Sequence, residues 1–365
     1  MNKKIAIIGA GNMGSILAVK FSRENDVYLY TNMPNDLPKY HKDMKVFSED
    51  DNETYSGNIK LISDNLEECV KDAEYIFVTF PSFLFGQFSK ELIPVVHKGQ
   101  HLVFIPGSGG AEFHFKSVLD KGCTITGLQR VHCVARIIEM GVLTKESGKK
   151  KILNVASIPS SFNKEACETI NDLFKIDVHP LDNYLNITFI NSNPTLHTSR
   201  LYSIFKEYPS KKEYDSLPLF YEGWDMDSAN LLSDMDDELT SMFKITEKYG
   251  LPIKDIMPIV KYYDGKTPED MMNKIKSIKG FKGLTTPAVS NPNGTYSPDL
   301  KSRYFTADFP YGLDILVSFA EMLNIPHPNM KKVSEWYHCI SGDTNRFRIQ
   351  DFNITTIDQL MNLYK

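Results

Sequence analysis

Along the first half of the chain, short apolar runs alternate with segments whose apolar residues recur every three or four positions. The runs are Ile5–Ile8, Val27–Tyr30, Ile59–Ile62, Tyr75–Phe80, Leu102–Ile105, Cys123–Leu128 and Ile152–Ala156. Near-continuous apolar runs suit strands covered on both faces, and helical periods between them suit crossover connections. The pattern therefore predicts an α/β fold with a doubly wound parallel sheet. Ser63 is expected to open a helix through Leu66 and Val70, with Glu67 near its positive end. Beyond about Val178 the pattern changes. Leu185–Ile190 still reads as a strand, but Ser228–Tyr249 and Leu313–Leu323 carry helical spacing, with Leu231, Leu232, Met235, Leu239, Met242, Phe243 and Ile245 as one buried stripe. Gly280–Ser302, rich in Gly, Pro, Asn and Ser, reads as a long loop of the kind that often serves as a lid.

A chain of 365 residues is long for one hydrophobic core, so two domains are expected, residues 1–180 with the sheet and residues 181–365 all-α. A net charge of -5 argues against a nucleic-acid footprint, which needs a basic face. Five scattered cysteines with no paired spacing signal neither a disulfide framework nor a metal site. No run reaches the length of a membrane span or a signal-peptide core, so a cytoplasmic protein is expected, with monomer and homodimer both open.

Gly9-Ala10-Gly11-Asn12-Met13-Gly14 follows a predicted strand and opens a helix continuing through Ile16, Leu17, Val19 and Phe21. In that context the glycines allow a tight turn, close approach of a pyrophosphate and close helix–strand packing, which is the dinucleotide fingerprint. After the second strand, where NAD enzymes place an acid, stand Thr31 and Asn32, with Lys39 and Lys42 following. NADP is accordingly favoured slightly over NAD. Pro81 and Ser82, at the carboxyl end of another strand, form a second expected cofactor wall, and Pro106-Gly107-Ser108-Gly109-Gly110 ends in the same region.

Reduction of a carbonyl or imine by a nicotinamide requires an acid that manages a proton as hydride arrives. His197, in Asn193-Pro194-Thr195-Leu196-His197, is the most suggestive of nine histidines, although a structural role is the commoner fate of a lone His. Asp308, in Arg303-Tyr304-Phe305-Thr306-Ala307-Asp308-Phe309-Pro310-Tyr311-Gly312-Leu313, could orient an imidazole or simply cap the following helix.

Taken together, the Gly9–Gly14 fingerprint, the Pro106–Phe113 loop, the Asn193–His197 segment, Phe220-Tyr221-Glu222-Gly223 and the Arg303–Leu313 stretch resemble the opine dehydrogenases, the octopine and nopaline enzymes, in family order over nearly the whole chain. The resemblance implies a Rossmann domain joined to an all-helical domain, with substrates bound between them. It implies reductive condensation of an α-keto acid such as pyruvate with an amino acid's amine, using NAD(P)H, and the reverse oxidation. His197 would be the acid-base residue, Asp308 its orienting carboxylate, and Arg303 a substrate-binding cation with Asn193 also at the substrate. The Pro106 loop looks shorter than the family form, no acid stands at Thr31, and Leu128–Arg136 matches only loosely, Arg136 being as readily a surface residue as a substrate contact.

Two rivals share the fingerprint. A ketopantoate-reductase-like or glycerol-3-phosphate-dehydrogenase-like enzyme would use a lysine of the second domain, yet Lys206, Lys211 and Lys212 lie in a charged, loop-like segment. A non-catalytic dinucleotide-binding protein would have no need of His197, Asp308 and Arg303 together.

Overall fold

The structure, a computed structural model, describes residues 2–33, 35–190 and 193–365. It divides into two compact units, Met1–Thr188 with Leu363–Lys365, and Phe189–Asn362. The sequence pattern expects the division after residue 180. The chain instead stays with the first unit through Thr188 and returns to it at Leu363.

The first unit contains β1 (Lys4–Ile8), β2 (Asp26–Tyr30), β3 (Lys45–Ser48), β4 (Glu53–Ser56), β5 (Leu61–Ser63), β6 (Tyr75–Val78), β7 (His101–Phe104), β8 (Thr124–Leu128), β9 (Val134–Glu139), β10 (Leu143–Ser147), β11 (Ile152–Ile158) and β12 (Asp177–Pro180). Its main sheet has the order β12-β11-β8-β7-β6-β1-β2-β5. The strands from β8 to β5 are parallel, and helices α1 (Asn12–Phe21), α2 (Phe85–Val95) and α3 (Asn163–Phe174) belong to the same unit. Every residue of β6 is buried, which is why it reads as an unbroken apolar run.

Three sequence expectations are corrected here. The run Ile152–Ala156 is a strand, but β11 lies antiparallel to β8. The chain between them forms the antiparallel β9–β10 pair and supplies no crossover helix, the usual connection between parallel neighbours. A four-stranded second sheet, β4-β3-β10-β9, carries no apolar signature, because strands such as β4 keep most of their side chains exposed. Ser63 closes β5, and the short helix Leu66–Val70 is capped by Asn65, whose side chain accepts from Glu68 N at 3.2 Å.

Leu363–Lys365 completes the core of the first unit. The Tyr364 hydroxyl donates to Glu112 Oε1 at 3.0 Å, and the Thr188 hydroxyl donates to the same oxygen at 2.5 Å. Glu112 is fully buried and its Oε2 has no hydrogen-bond partner among the described residues. Burial pushes its carboxyl up to about 7, against the pull of the two hydroxyls.

The second unit is mostly helical: α4 (Asn193–Phe205), α5 (Met226–Lys248), α6 (Pro268–Ser277), α7 (Asp314–Met322) and α8 (Pro328–Ser341). Asp225 caps α5 by accepting from Ser228 N at 2.8 Å, and the expected stripe is buried at Leu231, Leu232, Met235, Leu239 and Met242, with Phe243 and Ile245 half-buried. Buried Glu238 of α5 accepts from Asn329 N at 2.7 Å and Met330 N at 2.8 Å, so a carboxylate closes the positive end of α8. Two further expectations change. Leu185–Thr188 is a helical turn, opened by Asn183 Oδ1 accepting from Leu185 N at 3.1 Å, and a short buried run of this kind does not betray its period. Gly280–Ser302 contains a small hairpin pairing Ala288–Ser290 with Tyr296–Pro298.

Candidate active site

In the first unit the glycine turn lies between β1 and α1, with β2 and β6 flanking β1 on either side. This is the switch point at which doubly wound sheets bind ligands beyond their strand carboxyl ends. Gly9 has φ +104°, and a Cβ there would meet the Phe80 ring at 2.8 Å. A Cβ on Gly14 would lie 1.7 Å from the Gly9 carbonyl oxygen. Gly11, by contrast, faces open space with nothing within 4 Å, and α1 has no side-chain cap. Helix and turn thus pack without side chains while the helix N-terminus stays open, the cradle a diphosphate needs. Thr79 clasps the turn to β6, its hydroxyl donating to Ile8 O at 3.0 Å.

The other expected cofactor residues fall in different settings. Asn12 Oδ1 accepts from Ile137 N of β9 at 2.8 Å, and Met13 packs against the core. Thr31 is buried, its hydroxyl accepting from Met33 N at 3.4 Å, whereas Asn32 is exposed. Pro81 is exposed and Ser82 half-buried where the chain leaves β6.

In the second unit the structure brings His197 and Asp308 together, although 111 residues separate them in sequence. His197 is carried on α4, and its Nδ1 lies 2.8 Å from Asp308 Oδ2. Asp308 does not cap a helix with its side chain. It precedes a wide turn, Phe309–Leu313, whose Gly312 packs so closely on Pro194 of α4 that a Cβ would sit 3.0 Å from that ring. On its other side the imidazole Nε2 lies 2.8 Å from the Tyr221 hydroxyl. With Nδ1–H donating to the carboxylate, Nε2 carries the lone pair and accepts from the phenol. Burial, with Tyr304, Tyr263 and Asp308 nearby, holds the Tyr221 phenol well above its usual range, so it remains a donor.

Arg200, fully buried one turn along α4, fixes the segment that bears Tyr221. Its Nε donates to Phe220 O at 3.0 Å, Nη2 to Gly223 O at 2.6 Å and Nη1 to Ser228 Oγ at 2.9 Å. The Tyr304 ring lies 4.6 Å from that of His197. Arg303 is exposed beside it, and its guanidinium makes no hydrogen bond or ion pair with another described residue. Asn193 is exposed at the first described turn of α4. The sequence assigned no role to Tyr221 or Arg200; the available signals were the Phe220–Gly223 motif for the first and an arginine amid the apolar positions of α4 for the second.

Two of the three lysines considered for the rival reductases have other engagements: Lys206 pairs with exposed Asp227 at 2.9 Å, and Lys211 lies over the Tyr214 ring at 4.8 Å. Arg136 is exposed on β9, bonded to Ala135 O at 3.0 Å. One group of metal-ligating types, His132, Cys133 and Glu146, gathers within 4.8 Å in the first unit. It offers three ligands where closed structural sites take four, and Glu146 Oε1 is already held by the Tyr55 hydroxyl at 3.0 Å. No helix among the described residues is long and apolar enough to cross a membrane.

Known proteins match both units. The profile of the NAD/NADP octopine/nopaline dehydrogenase alpha-helical domain matches residues 180–341, and that of the NAD-dependent glycerol-3-phosphate dehydrogenase N-terminus matches residues 4–137. Tauropine dehydrogenase of Arabella iricolor is 29% identical over 78% of this chain and 75% of its own. Octopine dehydrogenase of Mizuhopecten yessoensis is 24% identical over 92% of this chain and 89% of its own. A solved octopine dehydrogenase with NADH and L-arginine shares the fold at a TM-score of 0.89, covering 100% of this chain and 99% of its own at 21% identity. With the helical-domain match joined to relatives of the same kind along the chain, the protein is similar to the opine dehydrogenases in both of its units.

Proposed function

We propose that this protein catalyses the NAD(P)H-dependent condensation of an α-keto acid with the amine of an amino acid, giving a secondary-amine dicarboxylate, and the reverse oxidation. The observation that carries the reading is the imidazole of His197 held between a carboxylate and a phenol, which is acid-base equipment without a nucleophile. Relatives named for tauropine and octopine, and octopine dehydrogenases solved with L-arginine or pyruvate beside NADH, support the substrate classes.

The open side of Gly11 and the uncapped end of α1 fit a dinucleotide's diphosphate, with Gly9 and Gly14 setting the turn. When bound, a reduced nicotinamide supplies the hydride. Asn32 is the exposed polar group at the end of β2, and neither it nor Thr31 is acidic to repel a 2′-phosphate, so NADPH is expected to serve at least as well as NADH. Asp308 fixes the tautomer of His197 and balances the imidazolium when it forms. Arg303, an exposed cation next to Tyr304, suits a substrate carboxylate, and Asn193 a polar contact with the same molecule.

A panel of keto acids crossed with amino acids, followed by nicotinamide absorbance with both cofactors, tests the proposal. Turnover that proceeds equally well without any amine overturns it. His197→Ala should lower turnover by roughly a hundredfold while cofactor affinity stays intact; unchanged turnover removes His197 from the mechanism.

A further inference from the structure

Both nitrogens of the His197 ring are occupied, Nδ1 by Asp308 and Nε2 by the Tyr221 hydroxyl, each at 2.8 Å. The imidazole can therefore exchange a proton with a reactant only through the phenol or after the phenol has left. The surroundings of Tyr221 oppose its leaving. Its ring stacks on Phe281 with centroids 4.0 Å apart and meets Phe220 edge-on at 4.9 Å. Arg200 holds the carbonyls of Phe220 and Gly223 on either side of it, and Glu222 accepts from Gly283 N at 2.7 Å, tying the next residue to the segment that bears Phe281. Swinging the ring aside would break the stack and disturb a turn pinned at several points.

We infer that every proton His197 gives to or takes from the reactants passes through the Tyr221 hydroxyl, which makes Tyr221 the proton-carrying residue of the site. The inference rests on the proposed function and deepens it. In the reductive direction, the imidazolium gives its Nε2 proton to the Tyr221 oxygen as Tyr221 gives its own proton to the hydroxyl of the carbinolamine. The C–O bond breaks, water leaves and the nitrogen lone pair forms the iminium, whose carbon then accepts hydride. In the oxidative direction, the Tyr221 oxygen takes the proton of the substrate ammonium while its own proton moves to Nε2, leaving an imidazolium beside Asp308. Neither direction requires a free phenolate, in keeping with the high proton affinity that burial gives this phenol.

Tyr221→Phe removes one oxygen and keeps the ring on Phe281. The amine-dependent single-turnover rate is expected to fall by roughly a hundredfold, the ordinary scale of acid-base help, with substrate KM within about threefold of wild type. A rate within threefold of wild type, or faster, overturns the relay, because it means that a vacated Nε2 serves as well. Replacing Tyr221 with fluorotyrosines of graded acidity separates relay from mere positioning and does not depend on the Phe variant folding. The rate follows phenol acidity if the proton passes through the oxygen, and independence from acidity overturns the inference. His197→Ala in parallel identifies which idea has failed: full activity in that variant sinks the acid-base reading itself, whereas loss there with normal turnover in Tyr221→Phe sinks only the relay.

Discussion

Replacing Glu112 with Gln is expected to stabilise the protein against heat at pH 8 and to leave it almost unchanged near pH 4.5. The carboxyl is fully buried, and burial raises it from an ordinary 4.5 to about 7. Because the folded-state value lies above the unfolded one, the contribution of this group to stability is complete below about pH 4.5 and is lost as pH rises through about 7. At about 1.4 kcal/mol for each pH unit separating the two values, the buried carboxylate costs on the order of 3 kcal/mol once both states are ionised. Glutamine keeps a carbonyl oxygen to accept from Thr188 and Tyr364, and places its NH2 where Oε2 already lacks a partner. Thermal melts of both proteins from pH 4.5 to 8.5 supply the test, since the other carboxylates are common to both and cancel in the difference. At roughly 2–4 °C per kcal/mol for a unit of this size, the variant should gain several degrees between pH 5 and pH 8 and then level off. A difference in melting temperature that stays flat with pH would refute the reasoning.

Gly14→Ala is expected to weaken dinucleotide binding by tenfold or more in a fluorescence titration, because the new Cβ would lie 1.7 Å from the Gly9 carbonyl oxygen and backbone cannot rotate away; unaltered affinity would contradict this account of the turn. Arg200→Lys replaces a fork with a single ammonium that cannot reach the carbonyls of both Phe220 and Gly223 as well as Ser228. A loss of roughly 3 kcal/mol in urea unfolding is expected, and a loss under about 0.5 kcal/mol would show that the buried guanidinium does not hold the turn.

What could be read from the sequence follows from what each element buries. Strand β6 announces itself because both its faces are covered, and the Gly9–Gly14 turn because its shape admits only glycine at two places. Strand β4 leaves no trace, since an exposed strand needs no apolar side chains, and Leu185–Thr188 misleads because a fully buried turn shows no alternation. The neighbouring positions of His197 and Asp308 could not be found from spacing, because a contact across 111 residues depends on tertiary packing; each residue was a candidate on its own with a structural alternative open, and the family resemblance supplied their joint role. Tyr221 was visible as part of a motif but not as a partner of His197. A phenol's role depends on what its hydroxyl touches, and periodicity carries no information about that.

The bond from Tyr364 to Glu112 also bears on how the protein is made. Since the first unit draws on residues from both sides of the second, the second is in effect an insertion, and the dinucleotide-binding half emerges from the ribosome long before its core can close. Until residues 363–365 are synthesised, the pocket around Glu112 lacks a wall, so a fragment ending at Thr188 would be an unfinished domain even though it contains every strand of the sheet.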